Sequence, residues 1–532
     1  LVASFLATTK KSTGWNTMLI DPPKPLSQSL LWEYQRNYFN TAGINAWANQ
    51  VPFYVTSNPF IANVYATLFI EFARDWTAQH PDAINHTFYL LELGTGSGRF
   101  SFYVLKKIKE LCRQFNLNSL RFCYVMSDFT EPNIHYWETH PALHDFLHEG
   151  LLDFAVYNME CDTRIQLMRQ AICLDPETLQ NPLTVFGNYI FDTVTQDAFS
   201  VQNGELSELL ISLKADPNNL NETGEVLDWS KLELGYQAQA LDCPRYEDRI
   251  INTVLNEYRT HLQNSHFLFP IGGLAAIKNL LTLANDKLFL VSSDKGYSSL
   301  ASLENLSFPK PSFHGSFSMM VNFHAIARYF KLRGGDYHLQ TPREGLRTVA
   351  FAMGFNFESM PATQSVIQQH IEGLSPADYF TLHKRVRDHF EEYDLATLTS
   401  HLIFAAWDPH IYLKINSRLC QLAAVSSDQT TLHFLSSHLY KIMDNFYNMP
   451  GFGNVPFELG TLFYSFKAYQ KALKYYLLSE PFNTEKFGFY YNVGLCQYYL
   501  GQLNEALGQF KQALILNPDS SQVQEWIAFL EK

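Results

Sequence analysis

A chain of 532 residues is longer than the roughly 250–300 residues at which single hydrophobic cores stop growing, so at least two domains are expected. With 46% hydrophobic, 15% aromatic and only 17% charged residues it can bury sizeable cores, which excludes a largely disordered chain. Its net charge of −13 argues against nucleic acid as a partner, because phosphate-backbone affinity comes from neutralisation by Lys and Arg.

Leu1 to Thr17 carries its lysines after the apolar stretch, unlike a signal peptide, and no apolar run approaches the roughly 18 residues of a membrane span. Helices are expected over Leu30–Ala48 and Asn58–Trp76. The second opens after Pro52-Phe53-Tyr54-Val55-Thr56-Ser57-Asn58, where Ser57 or Asn58 would serve as its cap.

The chain's organising stretch is Leu90-Leu91-Glu92-Leu93-Gly94-Thr95-Gly96-Ser97-Gly98-Arg99-Phe100. An apolar strand, Phe88 to Leu93, ends in alternating glycines and resumes as a helix from Phe100 to Leu111. Glycines at Gly94, Gly96 and Gly98 let a ligand approach the backbone closely, which reads as a nucleotide-binding turn. It is not the G-x-G-x-x-G dinucleotide fingerprint, since Arg99 stands where the third glycine belongs. Nor is it a P-loop, for want of Gly-Lys-Ser/Thr.

A second parallel strand, Phe122–Asp128, ends in an acid placed to accept hydrogen bonds from two ribose hydroxyls. A third, Leu152–Met159, ends near Glu160 and Asp162, where an adenine amino group or plain solvent would be met. The fourth runs from Leu183 to Asp192. In an open parallel sheet the ends of the first and fourth strands face one crevice, so Asn188 to Asp192 is the place to look for chemistry. A hairpin follows around Asn203-Gly204, then an irregular polar stretch from Lys214 to Gly235 and a helix over Tyr246–Gln263. A helix at Gly272–Ala284, a strand at Lys287–Ser293, the loop Asp294-Lys295-Gly296-Tyr297, a helix at Asn322–Leu332 and a strand at Thr348–Met353 complete an α/β domain near Gly354.

Beyond Thr363 the periodicity is wholly helical, with helix starts at Ser375-Pro376 and Asp408-Pro409. Leu459-Gly460, Ala472 and Tyr476 recur thirty-four residues later as Val493-Gly494, Ala506 and Phe510, which is the tetratricopeptide spacing. Lys467 stands where the first copy would have its turn glycine. The expected division is an α/β domain with N-terminal helices over 1–355, a helical linker or degenerate repeats over 356–450, and tetratricopeptide-like repeats over 451–532. A fragment ending between Gly354 and Thr363 should on this reading be soluble and still bind the ligand of the glycine turn. The seven cysteines, Cys112, Cys123, Cys161, Cys173, Cys243, Cys420 and Cys496, are scattered without a C-x-x-C pair. Reduced thiols, no metal centre and a cytoplasmic compartment are expected from them.

The glycine turn Glu92-Leu93-Gly94-Thr95-Gly96-Ser97-Gly98 resembles motif I of the class I methyltransferases, which bind S-adenosylmethionine. From Leu30 to about Gly354 the chain resembles the MidA-like methyltransferase family. Tyr54-Val55-Thr56-Ser57 is similar to its Tyr/Ile-Thr-Ser segment, Asn188-Tyr189-Ile190-Phe191-Asp192 to its Asn-Glu-x-x-Asp, and Asp294-Lys295-Gly296-Tyr297 to its Asp-Tyr-Gly. The resemblance implies a class I, Rossmann-like methyltransferase domain with S-adenosylmethionine as methyl donor. It implies cofactor contacts from Tyr54, Thr56, Ser57, Glu92, Gly94, Gly96, Gly98 and Asn188, to which the strand ends add Asp128 and Glu160 as candidates, and chemistry at Asn188, Tyr189 and Asp192. The family's best-understood branch methylates a protein arginine. Here Tyr189 replaces the Glu that would pair with a guanidinium, so the acceptor is arginine or another side chain. The expected partner is a protein substrate held partly by the helical repeats, and the competing reading is an assembly factor or scaffold with little turnover. The sequence leaves the oligomeric state open.

Overall fold

The computed structural model describes residues 17–49, 54–241, 244–343, 345–483 and 486–532. The first sixteen residues, Pro52, Phe53 and Cys243 lie outside them. The chain divides into two compact units, one comprising residues to Thr56, Thr67–Gly98 and Glu110–Ala377, the other Ser57–Ala66, Arg99–Lys109 and Asp378–Lys532.

The first unit is built on a sheet whose main strands are β1 (Phe88–Leu93), β2 (Phe122–Asp128), β3 (Leu152–Val156), β4 (Leu183–Asn188), β5 (Leu288–Tyr297), β6 (Asp336–Leu339) and β7 (Leu346–Met353). Their spatial order is β6-β7-β5-β4-β1-β2-β3. The pairs β1/β2, β2/β3, β1/β4 and β4/β5 are parallel, while β7 runs antiparallel to both β5 and β6. This is a Rossmann-like α/β arrangement, with the order reversing between β1 and β4.

Both faces of the sheet are covered, which is why its strands read as unbroken apolar runs. Leu91, Leu93, Val125, Val185 and Leu290 share a core with helices Arg249–His261, Ile271–Leu283 and Phe323–Leu332. On the alternate residues, the Phe69 ring meets Phe88 and Phe122, and Phe72 meets Phe289 and Phe355.

A second, antiparallel sheet of five strands was legible only as its hairpin, Asp197–Gln202 with Glu205–Ala215. Met18–Pro25, Glu233–Ala240 and Asn264–Phe269 complete it. Asp294-Lys295-Gly296-Tyr297, expected as a loop, continues the strand Leu288–Tyr297, and four other expectations need correcting at their ends. The first helix stops at Ala42, because Gly43 turns to φ +48°. The third strand ends at Val156 and the fourth at Asn188, leaving Asp192 in a turn. The helix drawn to Gln263 ends at His261 and gives way to a strand.

In the second unit, helices Leu395–Phe404 and Pro409–Val425 precede two antiparallel pairs, Val455–Ser465 with Tyr469–Ser479 and Lys486–Tyr499 with Leu503–Leu516. The repeat residues lie where helices touch. A Cβ on Gly460 would stand 2.6 Å from the Tyr476 ring, and one on Gly494 would stand 2.9 Å from the Phe510 ring. Ala472 and Ala506 are fully buried. Lys467 adopts φ +58°, the left-handed turn that Gly501 makes at +78° in the next pair. The same unit includes early segments of the chain. Phe60 stacks on Tyr379 at 4.3 Å, Lys106 Nζ donates to Asn445 Oδ1 at 2.8 Å, and the Arg99 guanidinium lies over the Phe452 ring at 5.6 Å.

Candidate functional site

After β1 the backbone enters the left-handed region three times, at Gly94 (φ +58°), Gly96 (+60°) and Gly98 (+79°), where an L side chain is strained. Where a Cβ on Gly94 would stand, Ile190 Cδ1 is only 2.5 Å away, and for Gly96 the Trp47 indole is 2.7 Å away. The glycines are thus required by internal packing as well as by backbone conformation.

The turn is stapled to the end of β2. Thr95 N donates to Ser127 O (2.9 Å), Ser127 N to Thr95 Oγ1 (3.1 Å), and Ser127 Oγ to Glu92 O (2.6 Å). The buried Glu92 carboxylate accepts the Tyr124 hydroxyl at 2.8 Å.

Asp128, also buried, accepts from Gly96 N (3.3 Å), Thr130 N (3.0 Å), Thr130 Oγ1 (2.9 Å) and Asn133 Nδ2 (3.0 Å). Those four donors match the acceptor capacity of a carboxylate. Burial raises its pKa and these hydrogen bonds pull it back down. A ribose hydroxyl would have to share or replace one of them.

The ends of β4 and β5 carry the second half of the site. Ser293 pairs with Asn188 across the strands, so Asn188 Oδ1 accepts from Ser293 N and Tyr189 N donates to Ser293 O, each at 3.1 Å. Tyr189 then takes φ +48°, an uncommon conformation for a bulky residue, and breaks the strand. The turn brings the Asp192 backbone N–H to Asp294 Oδ2 at 3.1 Å. Asp192 and Asp294 are both buried, and Asp192 Oδ1 has no hydrogen-bond partner.

Two adjacent buried carboxyls do not both ionise readily. Burial pushes Asp192 up to about 7, opposed by hydrogen bonding from Asp294 and by the charge of Lys295. Asp294 is held well above the usual carboxylate range by burial and by Asp192. Lys295 Nζ stands 5.9 Å above the centre of the Tyr189 ring. Asp294 was not among the residues expected to do chemistry, although it sits in the Asp294-Lys295-Gly296-Tyr297 segment and follows the strand position paired with Asn188.

The remaining candidates are dispersed. Glu160 pairs with Arg36 at 2.6 Å and accepts from Thr195, and none of its contacts is with the glycine turn or Asp128. Tyr54 is half-buried and Thr56 buried. The helix cap after them is Asn58, whose Oδ1 accepts from Ile61 N at 3.1 Å, while Ser57 offers its carbonyl to Arg99 Nε at 2.9 Å. Among the described residues, no three His, Cys, Asp or Glu side chains are placed to hold a metal, and no helix is long and apolar enough to cross a membrane. Six described cysteines are free thiols.

Residues 487–520 match the tetratricopeptide repeat family model. No curated protein matches the chain. Among solved structures, an uncharacterised protein from Burkholderia thailandensis is 13% identical, with 63% of this chain and 90% of that one covered and a TM-score of 0.39. A candidate methyl transferase from the same organism, bound to S-adenosyl-homocysteine, is 14% identical over 62% of this chain and 88% of that one, also at 0.39. Magnesium protoporphyrin IX methyltransferase from Synechocystis PCC 6803, solved with S-adenosylmethionine, is 11% identical over 61% and 96%, at 0.27.

Proposed function

We propose that the α/β unit binds S-adenosylmethionine and transfers its methyl group to a protein side chain, with the helical repeats holding part of the protein substrate. The observation that carries this reading is the left-handed Gly94–Gly98 turn at the reversal of strand order, tied to the acid ending β2 and touched by the segment leading to the Asp192–Asp294 pair. Ligands of open α/β sheets bind outside such strand ends.

The residues present suit this cofactor. A turn of glycines admits a backbone-hugging amino-acid moiety, and carboxylates at the ends of β1 and β2 suit its cationic and hydroxyl groups. When bound, the cofactor supplies an electrophilic methyl carbon on a positively charged sulfur. The chain's own residues have simpler tasks. Asn188 fixes the ends of β4 and β5 in register, Tyr189 turns the chain, and the Asp192–Asp294 pair holds or takes up a proton near neutral pH.

Calorimetric titration with S-adenosylmethionine and S-adenosylhomocysteine tests the first half, and absence of heat refutes it. Incubating the protein and co-purifying proteins with methyl-labelled cofactor, followed by mass spectrometry, tests the second, and label confined to small molecules refutes it. One observation favours the scaffold reading instead, namely that Ile190 and Trp47 pack directly on Gly94 and Gly96. Cofactor binding without turnover on any protein would support that alternative.

A further inference from the structure

The end of β5 places a cation, Lys295, near the carboxyl pair. Lys295 is half-buried. It lies over the face of Tyr189, where the ring quadrupole attracts an ammonium. Its charge acts on Asp192, two residues beyond Ile190. The groups bearing on Asp192 are Asp294, Lys295 and the Ser318 hydroxyl, and Tyr189 lies in the field of both carboxyls. Burial pushes the pKa of His314 down, and the Lys295 charge lowers it further. Its Nε2 lies 3.3 Å from Ser318 Oγ.

Two buried carboxyls brought together by the Asp192 N–H to Asp294 Oδ2 bond favour a single shared proton. A carboxyl pair sharing one proton carries one negative charge, and Lys295 carries one positive charge. The site is therefore already neutral. A guanidinium or alkylammonium entering it would meet Lys295 and find no uncompensated carboxylate, whereas an uncharged group bearing a hydrogen finds Asp192 Oδ1, buried and without a partner.

We propose that Lys295 is the built-in counter-cation of the Asp192–Asp294 pair, and that the group methylated at this site is an uncharged X–H nucleophile, a hydroxyl, thiol or neutral nitrogen, rather than a charged guanidinium or ammonium. The inference rests on the methyl-transfer reading above. The proton that X–H gives up is received at Asp192 Oδ1, the electron pair it leaves forms the new bond to carbon, and the electrons of the broken bond depart with the leaving group.

The test reads the cation site without cofactor or turnover. Thermal unfolding of the full chain is followed across pH, with and without methylguanidinium as probe, for the wild type, Lys295→Met and Lys295→Arg. A carboxyl whose folded pKa is raised contributes stability that is present below its unfolded pKa and is lost as pH rises through the folded value. Lys295 holds that value down, so Lys295→Met should move the midpoint of the loss upward by on the order of one pH unit or more. Methylguanidinium should raise the melting temperature of Lys295→Met by several degrees and leave the wild type unchanged. Lys295→Arg should behave as wild type in both respects.

An unmoved midpoint in Lys295→Met, a shift of the same size in Lys295→Arg, or equal stabilisation of wild type and Lys295→Met by the probe each overturns the proposal. Should Lys295→Met fail to fold, stabilisation of the wild type by methylguanidinium still overturns it and its absence still supports it. Absence of cofactor binding in calorimetry refutes the methyl-transfer reading alone and leaves the cation measurements as they are.

Discussion

Replacing Gly94 by Ala applies two separable stresses. The residue sits at φ +58°, and holding alanine in the left-handed region costs about 1–2 kcal/mol. Its new methyl would stand 2.5 Å from Ile190 Cδ1 and 3.4 Å from Ile190 Cγ1, an overlap with the tip of that side chain and ordinary contact with the rest. Overpacking of this kind costs about 1–3 kcal/mol, so Gly94→Ala alone should lose about 2–5 kcal/mol. Ile190→Val deletes Cδ1 and by itself should cost about 0.5–1.5 kcal/mol. In that background Gly94→Ala should cost only the backbone term, leaving a coupling of about 1–3 kcal/mol between the two sites. Urea unfolding of the four proteins in the double-mutant cycle, read from the transition that reports the α/β unit, measures it. Additivity within about 0.5 kcal/mol would show that Ile190 does not press on the turn.

Asp128→Asn is expected to lower the melting temperature, because an amide nitrogen would face hydrogen-bond donors that a carboxylate now accepts, a loss of about 1–3 kcal/mol. Affinity for S-adenosylmethionine should fall with it, and an unchanged melting temperature would show that Asp128 does not hold the turn. Asp192→Asn should flatten the decline of stability between pH 4 and 7, since Asp192 is raised from 3.8 to about 7 and its contribution is lost as pH rises through the higher value. A curve parallel to wild type in thermal unfolding would contradict this. A fragment ending at Thr363 is expected to aggregate, contrary to what the break in periodicity suggests, because Phe60, Lys106 and Arg99 lose Tyr379, Asn445 and Phe452. A monodisperse fragment in size-exclusion chromatography would refute that expectation.

Elements that carry a strong local signal were legible. The strand–glycine–helix passage at Phe88–Gln114 and the paired helices near the C-terminus depend on periodicity and on glycines at contact points, and both are written locally. Beyond its hairpin the second sheet was not legible, because Glu233–Ala240 has no buried residue to mark a strand and pairs with Ser207–Lys214 across an intervening polar stretch. The end of the fourth strand was misjudged because a bulky residue takes a left-handed turn there. Nothing in Asn188-Tyr189-Ile190 announces that Tyr189 will stand at φ +48°. At the site, Asn188 and Asp128 were legible as an amide and an acid at strand ends, while Asp192, expected at the end of the fourth strand, lies in the turn after it. Asp294 was not singled out because its role depends on a neighbour a hundred residues away, which only the parallel pairing of β4 with β5 supplies.

That pairing also bears on how the chain departs from the family it resembles. The family pattern has Glu where this chain has Tyr189, and Tyr where it has Lys295. Taken singly, the first change removes an anion and reads as loss of substrate binding. In the structure the two side chains meet just past the β4–β5 pairing, with the ammonium over the ring, so the changes act together. One negative charge is removed and one positive charge is gained beside a buried carboxyl pair whose own proton affinity depends on the local charge. An arrangement damaged at random would leave the pair without a counter-ion and strongly destabilising. Here the lysine supplies the counter-ion and the tyrosine supplies the surface on which it rests, which is the outcome expected if the site keeps its carboxyl pair and takes a different acceptor.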